Sequence, residues 1–112
     1  MNRIRINSTE GKSLLILGGT VHDIMPLLPQ KGLFIITDNN VSRLYGDSFP
    51  RAVVLTVEAV ERSKTMPVIE SLCRQLLEAG ADRSSFILGF GGGVVCDIAG
   101  MAASVYMRGV RH

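Results

Sequence analysis

Neither sign of charge is in excess in this 112-residue sequence. Twelve lysines and arginines stand against ten acidic residues, interspersed, for a formal net charge of +2. That balance excludes the broad basic face of a nucleic-acid or membrane-surface protein. The tail MRGVRH supplies only a local patch of two arginines and a histidine. Cysteine is scarce. Cys73 and Cys96 fit no paired metal-ligand spacing and lie in apolar surroundings, so they read as buried free thiols of a reducing compartment. Long hydrophobic runs are missing too. None reaches the ~20 residues of a membrane span, and the longest candidate, from Val94 onward, contains Asp97. The opening MNRIRINSTEGK lacks the apolar centre of a signal peptide. These absences lead to the expectation of a soluble cytoplasmic protein with no nucleic-acid or membrane partner.

What is present is enough apolar material, 46% of residues, for one packed domain. SLLILGG (13–19) predicts a buried strand ended by a glycine pair. Thr20 and Asp23 then have capping-box spacing, with Pro26 keeping the helix short or bent. GLFIITDNN (32–40) predicts a second strand, and VSRLYG (41–46) about one helical turn closed by Gly46. RAVVLTV (51–57) is a third strand. Across residues 63–82 the period changes to 3.6, with Ile69, Leu72, Cys73, Leu76 and Leu77 on one face. Ser63 or Thr65 caps that helix, Pro67 lies in its first turn and Gly80 stops it. SFILGF (85–90) is a fourth strand, and residues 94–107 predict a helix apolar nearly all round. Alternating strands and helices with near-continuous apolar strands predict an α/β fold, a Rossmann-like parallel sheet with helices on both faces.

Ligands of such sheets lie beyond the carboxyl ends of the strands. Residues 18–19, 38–40, 57–64 and 91–93 follow the predicted strands and are expected to meet along one edge. The bare loop Gly91, Gly92, Gly93 lets backbone N–H groups approach an oxyanion, aided by the start of the helix at about Val94. A tight strand-to-helix turn without a ligand has the same composition. No Walker lysine follows, and the ordinary dinucleotide fingerprint would need glycine or alanine at Cys96. Asp97 is either a helix cap or a partner for a ligand hydroxyl or amide. Arg108, eleven residues on, is expected to leave the same helix face, as an oxyanion fork or as a dipole partner. Glu61 and Lys64 hold a ligand or each other, and Asp38 and Asn40 bind hydroxyls or cap the turn at Val41.

Three segments occur in order: TDNNVSRLYGD (37–47), ERSKT (61–65) and GADRSSFILGFGGGVVCDIAGMAASVYMRGVR (80–111). Together they resemble the amino-terminal part of the 3-dehydroquinate synthases. More distantly similar are glycerol dehydrogenase, the iron-dependent alcohol dehydrogenases and other sugar-phosphate cyclases; the Tyr106-Met107-Arg108-Gly109 run favours the synthases. The resemblance implies an incomplete NAD-binding domain (1–112) of a two-domain enzyme, whose second, helical domain holds zinc or cobalt. It implies NAD-assisted conversion of DAHP to 3-dehydroquinate and phosphate, a step of the shikimate pathway, in a homodimer. Carried over position by position, Asp38 and Asn40 match contacts to the adenosine side of NAD. Glu61 and Lys64 match a Gly-Glu-x-x-Lys cofactor motif, and Gly92, Gly93 and Val94 the pyrophosphate loop. Asp97 matches an aspartate near the nicotinamide, and Arg108 a substrate-binding arginine. Val60 and Cys96 both replace glycines of the family pattern; valine at 60 is costly if that position takes positive φ. No catalytic residue and no metal ligand falls within the chain, since His22 and His112 have no carboxylate at ligand spacing. The chain is therefore expected to be part of a longer protein and inactive alone. A non-catalytic nucleotide-binding module is the reading outside enzymology. The nearly all-apolar helix at 94–107 would leave surface open for self-association.

Overall fold

Three of the predicted strands make the parallel sheet, and the fourth belongs elsewhere. The computed structural model describes residues 2–112. Strands β3 (Leu33–Asp38), β4 (Val53–Val57) and β5 (Phe86–Phe90) pair in the order β4-β3-β5, all parallel. All six residues of β3 are buried, as a strand with neighbours on both sides and cover on both faces requires. On one face Phe34, Ile36, Leu55, Val57 and Ile87 pack with the helices α3 (Met66–Glu78) and α4 (Gly93–Val105) in one core. On the other, Leu33, Ile35 and Thr37 alternate outward from that core, and α2 (Asn39–Tyr45) contacts β3. Phe49, just beyond α2, sits 4.7 Å from the Phe90 ring. Thr37 Oγ1 donates to the Phe90 carbonyl at 2.6 Å, tying the carboxyl ends of β3 and β5 together.

The strand expected at 13–19 is not in this sheet. β1 (Asn2–Ser8) and β2 (Gly11–Leu17) form a separate antiparallel hairpin, in register from Asn2↔Leu17 to Ser8↔Gly11. The apolar run of β2 imitates a buried parallel strand, while the alternation of Arg3, Ile4, Arg5 and Ile6 in β1 carries the signal of its partner. α1 (Val21–Ile24) is a single turn running into a 3-10 turn through Pro26. The Asp23 carboxylate accepts the Thr20 N–H at 2.6 Å, which holds its pKa below the usual range.

Helix α3 forms as its signals dictate. Thr65 Oγ1 accepts from the Val68 N–H, Pro67 stands in the first turn, and Gly80 reverses the chain at φ +83°. The Ala81 and Gly80 N–H groups donate back to Leu76 and Leu77, satisfying the helix end. Leu77, assigned to the buried face by spacing, is 61% exposed. Gly46 does not stop α2 in a left-handed turn; its φ is −55° and the chain continues as a 3-10 turn to Ser48. α4 ends at Val105 rather than Met107, because Met107 and Arg108 both take positive φ. It is not buried all round. Val95, Ile98, Ala99, Ala102 and Ala103 are buried, while Asp97, Met101, Ser104 and Val105 are exposed. Neither cysteine is fully buried: Cys73 is half-buried, its thiol pKa pushed up by burial, and Cys96 is exposed.

Open apolar surface lies on α4, where Met101 and Val105 are each 43% exposed, and also on the hairpin. Ile4, Ile6, Leu15 and Leu17 share one face and are 47, 53, 45 and 49% exposed. A two-stranded hairpin alone is marginal in water. The chain is therefore expected to bind a hydrophobic dye and to sediment with concentration-dependent weak association. Ile6→Lys with Leu15→Lys should reduce both; a clean monomer at all concentrations would contradict this reading.

Candidate functional site

Because β3, β4 and β5 are parallel, their carboxyl ends bring residues 38–40, 58–64 and 91–93 to one edge of the sheet. Residues 18 and 19 follow β2, a strand of the separate hairpin and not of this sheet. Asp38 ends β3 and caps α2. It is 7% exposed, and its Oδ1 accepts the Val41 N–H at 2.8 Å. Asn40 is exposed, and its Oδ1 accepts from Arg43 at 3.4 Å. The capping alternative thus holds for Asp38, while the Asn40 side chain stays at the surface.

Beyond β4 a 3-10 turn, Glu61–Ser63, leads to Lys64. Its ammonium lies 3.2 Å from Glu61 Oε1 and 2.8 Å from Asp97 Oδ2. Glu61 and Lys64 do hold each other, as one alternative had it. The bond to Asp97, 33 residues away, ties the β4 loop to α4. Asp97 is therefore no helix cap; Gly92 occupies the cap position. The Asp97 hydrogen bond first, then that of Glu61, raises the Lys64 pKa. A raised pKa means the tie contributes stability below the ordinary lysine range and loses it as pH rises through the folded value. Wild-type chain is expected to lose a little thermal stability between neutral pH and strong alkali that Lys64→Met does not lose. The effect should be small, because the pair is largely solvated. Parallel melting curves across that pH range check it. Val60 is extended, at φ −129°, so its side chain carries no backbone strain.

The glycines of the loop divide into two kinds. A Cβ at Gly89 would stand 2.9 Å from Ala99 Cβ, and one at Gly91 would stand 3.1 Å from Val95 Cβ. Those two allow α4 to pack close against β5. At Gly92 and Gly93 a Cβ would meet nothing within 4 Å. Gly92 has φ −77° and Gly93 is helical, so neither backbone demands glycine. The first helical hydrogen bond here runs from Cys96 N–H to the Gly92 carbonyl at 3.0 Å. The N–H groups at the start of α4, unpaired within the helix, thus lie beside two glycines at which a Cβ would meet nothing, with the positive end of the helix dipole behind them. Packing accounts for Gly89 and Gly91; it does not account for Gly92 and Gly93.

Arg108 is exposed on the turn after α4, not on a continuing helical face with Asp97. Tyr106 anchors that turn, its buried hydroxyl donating to the Ala81 carbonyl at 2.7 Å. Burial pushes its phenol pKa up. Neither this anchor nor the Lys64–Asp97 bond has a local sequence signal. A cavity of about 280 Å³ between α3 and α4 is lined by Lys64, Thr65, Met66, Ile69, Asp97 and Met101, among others. A larger open cleft of about 800 Å³ lies at the amino ends of the strands, around Lys31, Arg51 and Ser85. Parallel sheets place ligands at the other end, where the glycine loop is. Among the described residues no three His, Cys, Asp or Glu side chains group as a metal site, and no helix is long and apolar enough to cross a membrane.

Residues 54–112 match the family described as 3-dehydroquinate synthase N-terminal. The chain is 44% identical to a 3-dehydroquinate synthase of Exiguobacterium sp., over 71% of this chain and 25% of that protein. It is 36% identical to that of Leptospira interrogans, over 93% of this chain and 32% of the relative. The chain thus spans about a quarter to a third of the length of these curated relatives. Among solved structures, 2-deoxy-scyllo-inosose synthase with carbaglucose-6-phosphate, NAD+ and Co2+ superposes with a TM-score of 0.76 at 22% identity, over 97% of this chain and 33% of that one. A 2-epi-5-epi-valiolone synthase from Streptomyces hygroscopicus, with NAD+ and Zn2+ bound, gives 0.63 at 28% identity, over 70% and 25% of the two chains.

Proposed function

The chain belongs to the 3-dehydroquinate synthase family, and from that membership we propose that it forms the NAD-binding part of a sugar-phosphate cyclase. The observation that carries the proposal is the pair Gly92 and Gly93, bare at the start of α4 where a side chain would meet open space. Space left by two glycines that the fold does not need suits a pyrophosphate resting on the N–H groups of Gly93 and Val94. Asp38, at the end of β3, and Asn40, in the first turn of α2, are assigned to the hydroxyls on the adenosine side. Lys64, held between Glu61 and Asp97, is assigned to the nicotinamide side, where its two carboxylate partners fix its ammonium. Arg108 is assigned to an oxyanion of the substrate, for which its planar fork is suited.

When bound, NAD supplies a hydride acceptor that returns the hydride later in the cycle. In the whole protein we take the substrate to be DAHP, the products 3-dehydroquinate and phosphate, the place the shikimate pathway, the assembly a homodimer and the compartment the cytoplasm. The described residues do not fit the zinc or cobalt that such an enzyme would use, and no step here runs through a metal. The role of this chain is to bind and orient.

Titration with NAD, followed by amide chemical shifts, tests the assignment. Shifts centred on residues 38–40, 61–64 and 91–97 are expected, with a dissociation constant nearer millimolar than micromolar, about 4 rather than 8 kcal/mol. Phosphate release from DAHP by the pure chain with NAD and zinc or cobalt should stay at background. NAD that leaves those three segments unmoved would refute the assignment.

A further inference from the structure

Three consecutive residues after α4 carry positive φ: Met107 at 46°, Arg108 at 65° and Gly109 at 119°. Only the last is glycine, and L-residues with a side chain seldom take this region. The run cannot relax easily, because both of its ends are fixed to the core. Before it, the Tyr106 hydroxyl holds the Ala81 carbonyl at 2.7 Å, and the ring is 5% exposed. Within it, the Gly109 N–H donates to the Tyr106 carbonyl at 2.8 Å. After it, the Val110 N–H donates to the Ala103 carbonyl and the Arg111 carbonyl accepts from Ile87 N–H, each at 2.8 Å.

A chain reversal alone would be met more easily by glycine at all three positions. Packing does not explain Met107, which is 40% exposed. Strained backbone that the surroundings over-determine is a feature of sites that must hold a group in place. The group in question is the exposed guanidinium between Met107 and Gly109. We propose that residues 106–109 form a strained mount that presents Arg108 to an oxyanion, with Tyr106 and Met107 as positioning residues. The inference rests on the assignment of Arg108 to the substrate and adds the device that aims it.

The test follows the Arg108 Nε–Hε resonance of the whole 112-residue chain during titration with inorganic phosphate, and with acetate in parallel, alongside thermal melting. A larger response to phosphate would mark a phosphate subsite, and a larger one to acetate a carboxylate subsite; either supports an oxyanion mount. Met107→Gly relieves the strain at Met107 while Arg108 keeps its own, so its melting temperature should hold or rise while its affinity falls about threefold or more, roughly half of a tenfold step in free energy. Met107→Asn, which tolerates the left-handed region, should retain both. Tyr106→Phe should move the Arg108 resonance and weaken binding. A role in packing alone would move stability and affinity together. Unchanged affinity in Met107→Gly, or a joint fall in both quantities, overturns the mount while Arg108 keeps its assignment. If neither anion shifts Arg108 in the wild-type chain, the assignment fails first and the mount with it.

Discussion

Gly92→Asp is expected to abolish detectable NAD binding while leaving the melting temperature unchanged or slightly higher. The two effects have separate causes at one residue. Gly92 is the cap position of α4, with φ −77° and ψ −171°, and nothing lies within 4 Å of where a Cβ would stand. Aspartate is a better helix cap than glycine by a few tenths of a kcal/mol, and its charge favours the helix start. For the fold, the substitution is neutral to favourable. For a diphosphate on the same N–H groups it is prohibitive. The new carboxylate competes for the donors, and at ~4 Å it repels each phosphate charge by about 1 kcal/mol in water and about 4 at a protein surface. Against total binding of about 4 kcal/mol, that removes the complex from measurable range. Amide-shift titration and calorimetric melting of the same sample check both halves. Undiminished NAD shifts in Gly92→Asp would mean the pyrophosphate lies elsewhere.

Much of the sheet was legible because its signals are local. The continuous apolar runs of β3, β4 and β5, the Thr65 cap, Pro67 and Gly80 each act within a few residues, and each sits where the spacing put it. β2 was misplaced for a physical reason. An apolar run records that a strand has something to bury, not which sheet receives it, and β2 found its partner in β1 across a two-residue turn. Leu77 shows the same limit on a helix: periodicity assigns it a face, but only packing decides how far that face extends. At the site, the residue types were readable and their pairings were not. Lys64 and Asp97 meet only after β3 has paired with β4 on one side and with β5, which leads into α4, on the other, so no spacing rule connects them. The end of α4 was hidden for another reason. Met107 and Arg108 are ordinary helix formers by propensity, and tertiary anchoring through Tyr106 overrides that preference.

The division among the glycines of β5 and the loop after it yields the largest effect on stability. Gly89 lies in β5 on the face toward α4, and an added Cβ would stand 2.9 Å from Ala99 Cβ and 3.5 Å from Cys96 Cα. Neither neighbour is the free end of a flexible side chain, so relief requires the helix to move away from the sheet. Overpacking of this kind costs about 1–3 kcal/mol, and more for a branched side chain. Valine gains less than ~1 kcal/mol from its strand preference, which does not offset it. With a shift of ~4–8 °C per kcal/mol for domains near this size, Gly89→Val should lower the melting temperature by roughly 5–20 °C. Gly89→Ala should do so by less. Ala99→Gly removes the nearest obstacle at the helix's own cost of about 1 kcal/mol. Gly89→Ala should therefore be much less harmful in the Ala99→Gly background than in the wild type, a coupling that a double-mutant cycle measures. Moving α4 also moves the N–H groups at its start. NAD affinity should accordingly fall with stability in Gly89→Val, whereas Gly92→Asp separates the two. Additive energies in the cycle would show that β5 and α4 do not meet at Gly89 and Ala99 as closely as described.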